Sequence, residues 1–272
     1  MKDIVENRQR LTWSQKAAMG RLAVKENGIL WTSLLGIYYA FSGVADKAFS
    51  AMAKRRIKKN LPGLNSAKMN RLIWNNWDWS AGGEEWTPSP DWKDSLIERV
   101  LRPQVDKGGV VVEIGPGGGR WTEELQKRAS RLIGLDISQA CVDTCSERFA
   151  GCDNVEFRVS SGNDLDGVDD ASVDSIWSFD VFVHINEKEL RAYTTEFARV
   201  LKVGGSGVLH HGTASGSTGG WRSDVTDTRM RELLTEAGLE VVDQFRSWVD
   251  PDDNVEHQAG LYEDAITVFR NP

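Results

Sequence analysis

The chain has 272 residues, 40% of them hydrophobic and 27% charged, which is enough for one large α/β domain with an appendage. A net charge of −7 argues against nucleic acid as the main partner. Three cysteines, Cys141, Cys145 and Cys152, are odd in number and cluster on or just after one predicted helix. They read as reduced cytosolic thiols, because a zinc site would need a fourth ligand and usually tighter spacing.

Charge is unevenly spread. Residues 1–60 hold twelve Lys/Arg against four Asp/Glu, a net of +8, leaving −15 for the remainder. The N-terminus is charged and has no early apolar core, so no secretory signal is expected and the protein reads as cytoplasmic. The segment looks helical until Pro62-Gly63 breaks it. Residues 29–44 are apolar but fall short of the roughly 20 residues of a membrane span. They also contain Thr32, Ser33, Gly36, Ser42 and Gly43, so a span is not expected. Phe41, Ala45, Phe49 and Met52 lead into Lys54-Arg55-Arg56-Ile57-Lys58-Lys59. This pattern fits peripheral contact with an anionic membrane, or else a helical cap or homo-oligomer arm with a solvated basic end. A boundary between arm and main domain is expected at residues 72–73.

Five of the eleven tryptophans follow at Trp74, Trp77, Trp79, Trp86 and Trp92. Indoles pack cores, and they also suit the C–H faces of sugar rings, so this stretch reads as a lid, a substrate wall, or both. Trp86 is taken as a substrate candidate.

Next, Val110-Val111-Val112-Glu113-Ile114 is an apolar strand ending in Gly115-Pro116-Gly117-Gly118-Gly119, with a helix beginning near Trp121. Glycines permit φ > 0 and bring backbone N–H groups close to a ligand. A second strand ends at Asp136, placed to accept hydrogen bonds from a ribose. The spacing fails the dinucleotide fingerprint, since its third glycine position falls on Arg120 or Thr122, and no Gly-Lys-Ser/Thr follows for a P-loop.

Downstream, residues 154–159 alternate as a third strand and residues 173–180 read as a fourth. A helix at 192–201, a strand at 208–211, a short helix at 230–237 and two final strands at 240–248 and 265–270 complete the pattern. His210 and His211 are adjacent on a strand and so face opposite sides of the sheet; only one looks into a cleft, and the other reads as a satisfied histidine under a helix. His257 reads as a solvated loop residue.

Glu113-x-Gly115-x-Gly117-x-Gly119 with Asp136 resembles the class I S-adenosylmethionine-dependent methyltransferases, over residues 73–272. The resemblance implies a Rossmann-like α/β fold with a seven-stranded, mostly parallel sheet in the order 3-2-1-4-5-7-6. It implies that S-adenosylmethionine, leaving as S-adenosylhomocysteine, is held by Glu113, Gly115, Gly117, Gly119 and Trp121. Asp136 and Ile137 would hold the ribose region and Gly162 with Asn163 the adenine side, with Ser178 and Phe179 also counted in the site. The family's usual acid near Ser161 is missing, so Asn163, Asp164 or backbone groups must substitute. The runs beginning at Trp77, Gly83, Glu113, Trp177 and Gly220 are similar to a bacterial subgroup of sugar O-methyltransferases, including those acting on methylmannose polysaccharide precursors.

That resemblance implies a small-molecule or oligosaccharide acceptor. An alcohol must lose a proton as it attacks, which requires a general base. His184 is the first candidate, with Asp180 one turn before it and His211 as runner-up. His210, Arg222 and Asp224 are acceptor-site candidates, the last two in a glycine-rich segment at 215–225. A divalent metal held by Asp180, a histidine and the substrate is compatible with the resemblance, although the spacing lends it no support. O- or N-methylation of another metabolite is the enzymatic alternative. A non-catalytic cofactor-binding or membrane-associated protein would keep the glycine turn and need no base.

Overall fold

Runs of β-branched residues between glycine and polar turns build the sheet, and the helices that cover it carry apolar faces. The computed structural model describes residues 12–105, 107–215, 220–250, 254–260 and 262–272. It comprises two units, Met1–Lys59 and Asn60–Pro272. The boundary therefore lies thirteen residues before the expected one, because the helix Ala67–Asn75 packs as part of the second unit. The reading of the extreme N-terminus falls on residues 1–11, outside those described.

In the first unit, helix α1 covers Trp13–Lys59 with a break at Gly28, where φ is 80° and ψ is 165°. Its last turn carries Arg56, Lys58 and Lys59, cations that suit the negative end of the helix dipole. The apolar run judged too short to span a membrane lies in a helix whose best 18-residue window has a mean hydropathy of 1.3, none of it buried. By length and composition this helix could cross a bilayer. The expected interruptions do not interrupt it: Thr32 Oγ1 donates to the carbonyl of Gly28 at 3.0 Å and Ser42 Oγ to that of Tyr39 at 3.1 Å.

The second unit is a seven-stranded sheet. Its strands are β1 (Val110–Ile114), β2 (Arg131–Asp136), β3 (Val155–Val159), β4 (Val173–Phe182), β5 (Leu201–His211), β6 (Glu240–Phe245) and β9 (Ala265–Arg270). The order is β3-β2-β1-β4-β5-β9-β6, with β9 antiparallel to both neighbours. This is the expected Rossmann-like topology, with one addition. The strand expected over 240–248 breaks at Arg246, and its continuation β7 (Ser247–Asp250) turns aside to pair with β8 (Val255–Gln258).

Successive residues of each strand serve opposite faces. Val112, Ile133, Ile176 and Leu209 pack with α6 (Glu187–Val200) and α7 (Asp227–Glu236) through Phe197 and Leu233. Val111, Leu132, Trp177 and Val208 pack on the other face with Trp92, Leu96 and Trp121. In chain order α2 (Ala67–Asn75) and α3 (Pro90–Leu96) precede β1, α4 (Thr122–Leu125) lies between β1 and β2, and α5 (Gln139–Arg148) between β2 and β3. The five parallel strands β3, β2, β1, β4 and β5 direct their C-terminal ends to one edge, where open α/β sheets bind ligands.

Phe197 is fully buried and contacts the rings of Phe182, Tyr193 and Phe269. Truncating it removes a large apolar side chain and leaves a cavity. Phe197→Ala is expected to lower unfolding free energy by about 3–5 kcal/mol in urea titration.

Candidate functional site

Gly117 has φ of +58°, and a Cβ there would lie 2.8 Å from the ring of Trp79; one at Gly115, φ +68°, would lie 2.3 Å from Val181. Only glycine fits either position. The turn is fastened from below by two groups. Asp136 Oδ2 accepts from the N–H of Gly117 at 3.2 Å and Oδ1 from that of Ser138 at 2.9 Å, and the thiol of Cys145 donates to the carbonyl of Gly117 at 3.2 Å. Burial pushes the Asp136 carboxyl up to about 6.

Glu113 lies behind the turn. One oxygen accepts from Thr122 Oγ1 at 2.5 Å, while Oε1 is buried with no hydrogen-bond partner. Burial raises its carboxyl to about 7, and the Thr122 hydrogen bond only partly offsets this.

In front of the turn lies a cavity of about 660 Å³. Gly115, Gly117, Trp121, Asp136, Ile137, Gly162 and Phe179 line it, as the cofactor reading expects. The tryptophan stretch also lines it through Trp74, Trp77, Trp79 and Trp86; the rings of Trp77 and Trp86 stack at 5.5 Å. Helix α2 is tied across the opening: Asn70 Nδ2 donates to the carbonyl of His184 at 3.1 Å, and Asn75 Oδ1 accepts from Ser138 Oγ at 2.8 Å.

His184 lines the cavity between the rings of Trp74 and Trp221. Its Nδ1 is 2.9 Å from the carbonyl oxygen of Trp221. A carbonyl only accepts, so Nδ1 carries the proton and Nε2 keeps a lone pair. Burial pushes the imidazole below its ordinary value, so the ring is neutral at pH 7.

Asp180 also lines the cavity, but not as the partner of His184. A shift in register between β4 and β5 falls between Ser178 and Phe182, and inside it Asp180 takes φ of +63°. Its carboxylate pairs with Arg120 and with His210 Nδ1, the latter at 3.0 Å. Burial opposes its ionisation, but the His210 and Arg120 charges outweigh that and hold the carboxyl well below the usual range. The segment is a bulged strand, not a helical turn, which is why the expected Asp180–His184 spacing does not bring them together.

Of the adjacent histidines, His210 packs behind Phe179, stacked on its ring at 4.1 Å and paired with Asp180, so it is buried beside the cavity and does not line it as an acceptor-site residue would. His211 faces away, buried, with Nδ1 2.8 Å from the Gly212 carbonyl and Nε2 2.7 Å from Thr267 Oγ1. Both nitrogens are engaged and burial pushes its imidazole down to about 4, which removes it as a base.

Other expectations also change. Asn163 is exposed, bonded to Ser161 and outside the cavity wall, so only Gly162 of that pair faces the space. Ser178 donates to the carbonyl of Ile114 at 2.9 Å and ties β4 to β1. Gly119 and Glu113 support the turn without lining the cavity. Arg222 lines it, paired with Asp264 and lying over the ring of Tyr262 at 4.6 Å, whereas Asp224 is exposed outside it. Of the glycine-rich segment at 215–225, residues 216–219 lie outside the described ones. His257 is not a solvated loop residue: it is buried on β8 against Trp248 and lines the cavity. No group of three or more His, Cys, Asp or Glu arranged to hold a metal occurs among the described residues.

Sequence reasoning missed Arg120, Asp264 and Tyr262. Arg120 was legible in principle as the residue straight after Gly119. Asp264 and Tyr262 depend on where the β7–β8 hairpin brings the chain back.

Residues 111–205 match a family model described as a methyltransferase domain. Among curated proteins the chain is similar to a probable ribosomal RNA small subunit methyltransferase A of Pyrococcus furiosus, 25% identical over 115 residues, covering 39% of this chain and 42% of that protein. It is also similar to phosphoethanolamine N-methyltransferase 1 of Arabidopsis thaliana, 29% identical over 122 residues, covering 42% of this chain and 25% of that protein. The chain thus spans less than half the length of these relatives. In structure it resembles a chain from the complex between the Haloferax volcanii Trm112 methyltransferase activator and a methyltransferase. That match has a TM-score of 0.59 and 25% identity, and covers 74% of this chain and 97% of that one. With ribosomal RNA methyltransferases among the relatives, a net charge of −7 does not by itself exclude a nucleic-acid acceptor.

The residues around the cavity fit S-adenosylmethionine: a glycine turn with no room for side chains, a buried acid with an unused oxygen behind it, and a second acid at the end of β2.

The raised Glu113 carboxyl has a consequence for stability. A folded value near 7 against an unfolded one near 4.5 means the folded protein binds the proton more tightly. The stabilisation is complete below about pH 4.5 and is lost as pH rises to about 7. Glu113→Gln should therefore raise the stability of the cofactor-free protein at pH 8 by about 1–3 kcal/mol and flatten its dependence between pH 5 and 8 in thermal melts.

Proposed function

Taking the domain as a class I S-adenosylmethionine-dependent methyltransferase, we propose that it methylates a hydroxyl of a sugar or glycosylated metabolite, with His184 as general base. The observation that carries this reading is the His184–Trp221 hydrogen bond, which leaves Nε2 able to take a proton inside the cavity. S-adenosylmethionine supplies an electrophilic methyl group on a sulfonium. The glycine turn and Asp136 would hold the cofactor's polar parts, and Ile137, Phe179 and Trp121, which line the cavity, would provide apolar contact beside them. Methyl transfer is an in-line displacement, so fixing donor and acceptor in register supplies much of the acceleration. His184 Nε2 takes the hydroxyl proton during attack. Burial keeps the ring uncharged and available at neutral pH.

The acceptor class rests on the tryptophan-rich part of the cavity wall. Indole rings of Trp74, Trp77, Trp86 and Trp221 offer flat apolar faces, while Glu189, Arg222 and Asp264 supply hydrogen-bonding groups among them. Flat faces with interleaved polar groups suit a sugar, whose rings expose C–H faces and a rim of hydroxyls. Likeness to phosphoethanolamine N-methyltransferase 1 favours a second reading, an amine acceptor. An amine already neutral at working pH would not need the base.

Assays with methyl-labelled cofactor over a panel of sugars and small amines should show a mass gain of one methyl on a hydroxyl acceptor. His184→Ala should lower kcat by about 10²–10⁴-fold while cofactor affinity stays at the wild-type level. In the wild type, log kcat should rise with pH and level off below the ordinary histidine value of about 6.5. A fully active His184→Ala enzyme on a hydroxyl acceptor rejects the base. Turnover on amines alone selects the second reading, and cofactor binding without transfer to any acceptor selects a non-catalytic role.

A further inference from the structure

The helix Trp13–Lys59 carries a feature that methyl transfer does not use. Between residues 29 and 45 it has no charged side chain. Ile29, Leu30, Leu34, Ile37, Tyr38, Phe41 and Val44 are all exposed, Ile29 and Leu30 at 74%. Consecutive residues 29, 30 and 31 leave a helix on three different sides, so the apolar surface is not confined to one stripe. A helix apolar on several sides is either buried in protein or placed in lipid. None of the most apolar 18-residue window is buried.

Two of the hydroxyls within the run are satisfied inside the helix. Thr32 and Ser42 spend their hydroxyl protons on carbonyls of their own helix, at 3.0 and 3.1 Å. Backbone and hydroxyl groups satisfied in this way are what allow a helix to lie in a bilayer. Seventeen residues rise about 25 Å, close to the roughly 30 Å hydrocarbon core. Beyond the run, Lys54, Arg55, Lys58 and Lys59 stand exposed within six positions. A juxtamembrane cluster of this kind complements anionic headgroups. A helix lying in the interface would instead need a strongly charged face along the apolar stretch itself, and residues 29–45 have none.

We propose that this helix inserts into an anionic lipid bilayer through residues 29–45, with the Lys54–Lys59 cluster at the headgroups, so that the methyltransferase domain works as a membrane-bound enzyme.

The test uses the full chain and two vesicle types, phosphatidylcholine alone and phosphatidylcholine with about a third phosphatidylglycerol, in density flotation at low salt and after a wash in 1 M NaCl. The chain is expected to float with both, to favour the anionic vesicles by about tenfold or more, and to stay bound after the wash. Leu34→Glu combined with Ile37→Glu should reduce flotation at least about tenfold, since each acid is costly at the centre of a span. Unchanged cofactor affinity in that variant shows that the domain has folded. Neutralising Lys54, Arg55, Lys58 and Lys59 to Gln should abolish the anionic preference while binding to both vesicle types persists. Complete release by salt, flotation of the Leu34/Ile37 variant equal to wild type, or a stable lipid-free dimer that does not float would each overturn insertion.

Discussion

The active-site edge of this protein depends on one buried carboxylate. Asp136, at the end of β2, accepts hydrogen bonds from the N–H of Gly117 and of Ser138, so a single side chain joins the turn after β1 to the start of α5. The glycines in that turn have no side chains to hold them, and their conformation is set from outside by Asp136, by the Cys145 thiol and by Trp79 pressing on Gly117. A loop made of glycine for close approach thus becomes rigid through its neighbours. The buried thiols also find their use here: burial pushes both Cys141 and Cys145 well above the ordinary range, which makes them inert packing and hydrogen-bonding groups.

A second constraint separates the chemistry of the histidines. The bulge at the end of β4 turns Asp180 toward Arg120 and His210, and that ion-paired cluster stacks on Phe179 beneath the cavity. His184 lies four residues further on, past the bulge, and is left to bond the Trp221 carbonyl alone. Had the strand run on without a bulge, Asp180 would not be turned toward Arg120. Strain at a non-glycine residue with positive φ is maintained because Arg120 and His210 hold its carboxylate.

The fold was legible because its signals are local. Val110–Ile114, the glycine turn and Asp136 lie within one βαβ unit, where alternation and turn chemistry determine the outcome. Strand order followed from the family resemblance that those residues carried. What was not legible depended on distant segments meeting. Whether His257 is solvated depends on β7 and β8 pairing, which takes it under Trp248, and neither strand is long or regular enough to announce itself. His210 and His211 contact different partners, Phe179 and Thr267, and neither lines the cavity, because β5 buries both within the sheet. Asn163 looked placed for adenine by position in the motif, yet its side chain was taken up locally by Ser161.

The N-terminal helix shows the same limit from the other side. Counting residues treated Thr32 and Ser42 as breaks in an apolar run, because a hydroxyl in isolation is costly to take out of water. In a helix it is not isolated. Bonded to carbonyls one turn away, those two groups bring no unsatisfied donor with them. Glu113 is the opposite case: a buried acid with an oxygen left unpartnered, so that burial shifts its proton affinity instead. Both turn on whether a polar atom taken out of water has a partner. In the helix the partner is the chain's own backbone, which makes the segment compatible with lipid. At Glu113 no partner offsets the burial of Oε1, and the carboxyl holds its proton to higher pH.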